Sequence, residues 1–135
     1  MKKKTIIILS VIAVAVVLCS IGVYKIISGV QKEVRAISQL KIEDVDISGV
    51  ADGVYKGSYE TTLVKAQVEV TVKEHKITDI KLLKHDNGKG KAAESITEDV
   101  VKSGSLQVDS VSGATHSSKV ILKAIENALK NAVQS

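Results

Sequence analysis

One ten-residue stretch holds most of the side chains that could do chemistry: Asp109-Ser110-Val111-Ser112-Gly113-Ala114-Thr115-His116-Ser117-Ser118. It is small and polar, and it stands directly before an apolar-periodic segment that reads as a long helix. A helix start offers unpaired backbone N–H groups and the positive end of the helix dipole, and so attracts phosphate. Gly113 and Ala114 would let a ligand come close to the backbone. Ser112, Thr115, Ser117 and Ser118 would supply hydroxyls. A plain N-cap, in which a Ser or Thr oxygen satisfies the first helical N–H groups, explains the same residues. The two readings are compatible on different side chains, with Ser117 capping and Thr115 free for another task.

The remaining candidates are few. Three histidines, His75, His85 and His116, are too dispersed for a metal-ligand spacing, and the single Cys19 allows neither an intramolecular disulfide nor a cysteine zinc site. His85 falls in a polar stretch, His85 to Gly90, read here as a loop. Aromatic residues make up only 2% of the chain, too few for stacking platforms on single-stranded nucleic acid. The charge is unevenly placed. Residues 1–41 carry seven basic residues and one acid, for +6, whereas residues 42–135 carry 12 basic and 14 acidic residues, for −2. The net +4 therefore belongs to the N-terminal segment. A slightly acidic domain lacks the cationic face that nucleic acid requires, so no nucleic-acid partner is expected.

The elements that must position these residues follow from patterning. Thr5 to Tyr24 is a 20-residue run without a charge, long enough as a helix to cross about 30 Å of hydrocarbon. A cleaved signal peptide would have a shorter apolar stretch and a small-x-small site at its end; here Ala13 and Ala15 lie mid-run. Val16-Val17-Leu18 before Cys19 lacks the small residues of a lipoprotein processing site. Residues 1–24 thus read as an N-terminal transmembrane signal-anchor. Lys2, Lys3 and Lys4 on a very short tail favour an N-in orientation, with residues 25–135 outside the cytoplasm. Ile27, Val30, Val34 and Ile37 form a narrow helical stripe, and residues 25–51 are assigned to a stalk and linker, with 41–51 as linker or initial edge strand.

Residues 52–135 form the globular part. Strands are predicted from Asp52 to Tyr59, from Leu63 to Val72 with Val64, Ala66, Val68, Val70 and Val72 on one face, and from Lys76 to Leu83 after a Glu74-His75 turn. Helices are predicted over Ala92–Val101 and Ser117–Val133, with a short strand at Leu106–Val108. The wide apolar face of the last helix, Val120 to Ala132, needs a sheet to cover it. The expected fold class is α+β: a small antiparallel sheet with helices packed on one face, preceded by one transmembrane helix.

At this point the chain resembles a known family. The quoted residues are DGVYKGSY at 52–59, the valine-alternating strand, KITDIKLLKH at 76–85, NGKGKAAE from Asn87, and D-x-x-S-G-A-T from Asp109 to Thr115, followed by Ser117-Ser118 and an apolar helix. Together, over roughly residues 52–133, they resemble the FMN-binding domain of the flavin subunits of sodium-translocating NADH:quinone reductases and Rnf-type complexes. Small membrane-anchored flavoproteins of bacteria are similar. The resemblance implies FMN as cofactor, joined by a phosphoester to Thr115 by a separate flavin transferase that uses FAD and Mg²⁺. Asp109, Ser112, Gly113 and Ala114 would be recognised by that transferase. His116 and His85 are candidate flavin contacts, and Tyr55 and Tyr59 could flank the ring. His75 stands where a glycine is expected in the hairpin turn.

The implied function is a membrane-anchored, extracytoplasmic electron carrier or redox subunit, with no catalytic residue of its own. It would exchange electrons with membrane proteins or quinone. Two alternatives fit the same layout: a sensor module that binds FMN without a covalent bond, and a non-redox membrane-tethered interaction domain whose S-G-A-T loop is only a cap.

Overall fold

The computed structural model describes residues 2–86 and 91–135, so Asn87 to Gly90, part of the predicted polar loop, lie outside the described residues. The chain divides into two compact units, residues 1–33 and 34–135.

The first unit belongs to helix α1, Lys2–Ser38. This helix is long and apolar enough to cross a membrane, and none of its apolar window is buried by protein. The two serines inside the span direct their hydroxyls back to the helix, Ser10 to the Ile7 carbonyl at 2.8 Å and Ser20 to the Val16 carbonyl at 2.7 Å. In hydrocarbon every polar group needs such an internal partner.

The second unit holds a three-stranded antiparallel sheet in the order β1 (Gly53–Glu60), β2 (Lys65–Lys73), β3 (Lys76–Asp86). On β2 the pleat is strict. Ala66, Val68, Val70 and Val72 are buried, while Lys65, Gln67 and Lys73 face solvent. Strand β3 breaks this alternation, since its buried isoleucines, Ile77 and Ile80, are three apart. Register shifts explain the spacing. Thr71 pairs with Asp79 and Val72 with Ile77, so Thr78 is the extra residue of a bulge; Leu83 is the extra residue of a second, between Leu82 and Lys84.

The β2–β3 turn has two central residues, Glu74 (φ 50°) and His75 (φ 59°), both left-handed. That is the type I′ geometry whose twist matches the flanking strands. Histidine thus occupies a conformation that the sequence pattern assigned to glycine. Glu74 is held there by its N–H, which donates to Asp52 Oδ1 at 2.8 Å.

Two helices cover one face, as expected for an α+β domain. Helix α3 (Thr115–Gln134) packs on β1 and β2, and α2 (Ile96–Ser103) on β3. A 3₁₀ turn, Lys91–Ser95, precedes α2. Gly104 (φ 69°) ends α2, its N–H donating to the Val100 carbonyl at 2.8 Å. The two layers approach closely at Gly57. A Cβ there would lie 2.2 Å from the Ala124 carbonyl oxygen and 2.3 Å from the Ala128 nitrogen. At the open edge of β1, Asn127 and Asn131 of α3 donate to the carbonyls of Ser58 (2.9 Å) and Lys56 (3.2 Å).

Several expected boundaries move. His85 and Asp86 belong to β3, because the bulges lengthen it to 11 residues. Leu106–Val108 pairs with no strand. It runs instead beside residues 42–44, with Asp44 accepting the Leu106 N–H at 2.6 Å and Gln107 donating to the Ile42 carbonyl at 2.8 Å. Residues 41–51 form no strand either. They lie against the core, which buries Val50 and partly covers Ile42, Val45 and Ile47. Ile37, in the last turn of α1, is buried in the same core.

Candidate functional site

The D-x-x-S-G-A-T stretch folds into a tight turn that feeds α3. The Ala114 N–H donates to the Val111 carbonyl at 3.0 Å, closing a four-residue turn over Ser112 and Gly113. Gly113 has φ 78° at its third position, a conformation that favours glycine. Space around it is open, since nothing lies within 4 Å of an added Cβ. Ser112 and Gly113 are exposed, whereas Ala114 is buried.

Thr115 is the first residue of α3, and it is exposed. The expected helix start at Ser117 is two residues late. The expected side-chain cap is also absent: Ala114 occupies the N-cap position and no side-chain bond caps the helix. A different pair of bonds ties the turn to the helix. Ser118, fully buried, accepts the Val111 N–H at 3.0 Å and donates to the Ala114 carbonyl at 2.8 Å. This hydroxyl staples the turn to the helix and leaves Thr115 outside the staple. Among the described residues, no hydrogen bond engages the Thr115 hydroxyl.

The other candidates separate into two groups. Helix α3 runs antiparallel to β1, as the Asn127–Ser58 and Asn131–Lys56 bonds require. Its start therefore points to the end of the sheet where Glu60, Lys65 and Asp86 meet. His85 and Tyr59, both paired with Ala66 across the sheet, belong to that end. The His85 side chain is 2% exposed, and its Nδ1 lies 3.2 Å from Glu94 Oε1. It is thus a buried strand residue rather than a loop residue. His116 is half-buried in the first turn of α3. Tyr55, in contrast, lies four residues along β1 from Tyr59, with its hydroxyl donating to the Ala51 carbonyl at 2.8 Å. Asp109 is exposed and borders a shallow depression lined by Asp99, Lys102 and Ser103. No hydrogen bond or ion pair joins it to Thr115 among the described residues.

One polar cluster was missed by sequence reasoning. Lys119, Lys123, Glu126 and Lys130 recur at steps of four, three and four on α3. Glu126 has no exposure, yet it is charged and saturated: Lys123 Nζ lies 2.8 and 2.9 Å from its two oxygens, Lys130 Nζ 2.5 Å from one, and the Glu43 N–H donates to the other at 3.2 Å. Burial alone would raise this carboxyl; the lysine and backbone hydrogen bonds outweigh burial and hold it below the ordinary glutamate value. The signal was the helical spacing of the charges, which also describes a solvated face.

Residues 64–130, about half of the chain, match the family model of the FMN-binding domain. No curated protein matches the chain. The protein therefore carries an FMN-binding domain, and FMN is its cofactor.

The residues at the start of α3 fit a phosphate-bearing group of this kind. The N–H groups of the first helical turn have no partner within the helix, and the dipole there favours an anion. Gly113 leaves room for it, and the Thr115 hydroxyl is accessible.

Proposed function

We propose that this protein is a membrane-anchored electron carrier, with FMN joined through a phosphoester to Thr115 and the domain outside the cytoplasm. The observation that carries the reading is the exposed Thr115 hydroxyl at the first position of α3, directly after the open Ser112-Gly113 turn. A chain that must enter another enzyme's active site needs such a protruding hydroxyl among small residues.

The attachment balances with a transferase that uses FAD and Mg²⁺. The Thr115 hydroxyl gives its proton to a base of the transferase and bonds to the phosphorus of the FMN half; the bond to AMP breaks, and AMP leaves. The metal would steady the pyrophosphate, so this chain needs no activating base. On this reading Ser112 and Gly113 are read by the transferase at the surface. Asp109 is a more distant recognition residue, and Ala114 contributes by packing under the turn. His116, in the first helical turn, and Tyr59, at the same end of the sheet, are the side chains available beside the cofactor, whereas the enclosed His85 ring lies behind that surface.

When bound, FMN supplies one- and two-electron redox chemistry, and the protein supplies position and electrostatics. A covalent link suits a domain outside the cell interior, where a lost cofactor would not be replaced. The N-in orientation is supported by Lys2, Lys3 and Lys4 ahead of a span long enough to cross a membrane. The partners would be membrane-held donors and acceptors, either proteins or quinone.

The test is the intact mass of the protein co-expressed with an active transferase. The wild type and Thr115→Ser are expected to gain the mass of esterified FMN, and Thr115→Ala to gain nothing. Flavin retained by Thr115→Ala through denaturing separation would overturn attachment at this residue. Colour that is lost on denaturation of the wild type would support the non-covalent module instead.

A further inference from the structure

We infer that Ser118 is a positioning residue for cofactor attachment: its buried hydroxyl holds the acceptor turn in one shape, so that the transferase reads a folded turn rather than an extended stretch of chain. The inference rests on the Thr115 reading above.

The segment that carries the motif has few polar ties. Asp44 accepts the Leu106 N–H at 2.6 Å, and Gln107 donates to the Ile42 carbonyl at 2.8 Å. From Val108 to Ser110 no hydrogen bond is made among the described residues. The next tie is at Val111, whose N–H donates to Ser118 Oγ at 3.0 Å. The same hydroxyl donates to the Ala114 carbonyl at 2.8 Å, and that carbonyl also accepts the Ser118 N–H at 2.9 Å. Val111 and Ala114 are the first and last residues of the turn, so one hydroxyl touches both of its ends. Apolar contact holds these residues too, since Ala114 is buried and Val111 packs partly against the core. That contact is non-directional, whereas the hydroxyl needs its donor and acceptor at set angles. The hydroxyl therefore decides how the Ser112-Gly113 backbone stands above the core, and with it how Thr115 leaves the turn.

The residues that the transferase would read divide accordingly. Ser112, Gly113 and Thr115 are exposed, whereas Ala114 and Ser118 are not. An enzyme that bound residues 109–115 as an extended strand would have to pull Ala114 out of the core and break both bonds of the Ser118 hydroxyl. Bound as the turn, the segment is already ordered, and none of the binding energy goes into ordering it. Attachment then follows folding, on the completed domain. Where a binding-competent shape is populated only in part, apparent affinity falls by that fraction. Loosening the turn thus raises KM for the chain and leaves kcat as it was.

The experiment uses the full chain in detergent, made without transferase and then given purified transferase, FAD and Mg²⁺, with modification followed by intact mass. Ser117→Ala is the control, because Ser117 is also buried but takes no part in the staple. In chains shown by circular dichroism to be folded, Ser118→Ala is expected to raise KM about tenfold, the scale of the hydrogen bonding lost, with kcat unchanged. Ser117→Ala is expected to leave both unchanged. Equal or faster modification of folded Ser118→Ala would overturn the inference and leave attachment at Thr115 standing. A wild type that gains no mass would overturn the Thr115 reading and the inference with it. Amide exchange of the wild type, with no flavin present, tests the staple by itself. Protection of the Val111 N–H is expected to exceed that of the unbonded Asp109 N–H by about tenfold or more. Equal protection would overturn the staple whether or not Ser118→Ala folds.

Discussion

Glu126 and Thr115 show how differently two residues of one helix can be read. Thr115 was legible because its neighbours are informative: S-G-A-T before an apolar helix is a local pattern, and Gly113 announces the turn that exposes it. Glu126 was not legible, because its backbone partner at Glu43 lies more than 80 residues earlier in sequence and no local pattern announces its return. The two differ in what they stabilise. The carboxyl of Glu126 is held below its ordinary value of 4.5 by Lys123, Lys130 and the Glu43 N–H. Its ionised form is therefore favoured in the folded state, and the associated stability is fully present above about pH 4.5 and lost as pH falls through the lower folded value. Glu126→Gln is expected to cost about 1.5–3 kcal/mol at neutral pH, the range for losing hydrogen bonds to a charged group. Thermal melts between pH 7 and pH 3 should show the wild type losing its advantage over Glu126→Gln in the acid range. A constant gap across that range would mean that the carboxylate charge is not what stabilises this cluster.

At the scale of elements, α3 meets β1 at Gly57 with no room for a side chain. An alanine at position 57 would drive its Cβ into two backbone atoms, neither of which can move aside alone. Gly57→Ala is expected to cost about 3 kcal/mol, at the upper end for overpacking, and to lower Tm by about 12 °C or more. Gly113→Ala meets open space and pays only for a left-handed backbone, about 1–2 kcal/mol. Differential scanning calorimetry of the pair separates steric from torsional cost, and equal losses would contradict both assignments. The strands themselves were readable from their period of two, with β2 almost residue for residue. Reading failed where a bulge changes the period, which is why β3 was ended at Leu83 and His85 was placed in a loop. It also failed at Leu106–Val108, whose apolar residues join the common core while its backbone and Gln107 bond to residues 42–44 rather than to a strand.

For the whole molecule, the class was legible because element order and apolar faces leave few ways to cover a three-stranded sheet. The edges of the folded unit were less so, since Ile37 and Val50 are core residues in segments that looked like stalk and linker. A chain of residues 34–135 is expected to stay in solution and melt cooperatively. A chain of residues 52–135 loses Ile37, Val50 and the Asp44–Leu106 bond, and is expected to melt at a clearly lower temperature. Equal melting points by circular dichroism would show that residues 34–51 add nothing to the fold. The amides of Asn127 and Asn131 have a consequence at this scale too. An edge strand with idle carbonyls is a template on which a neighbouring copy can add a strand. By occupying the Ser58 and Lys56 carbonyls, two asparagines one turn apart act as a stopper against intermolecular zippering along that edge.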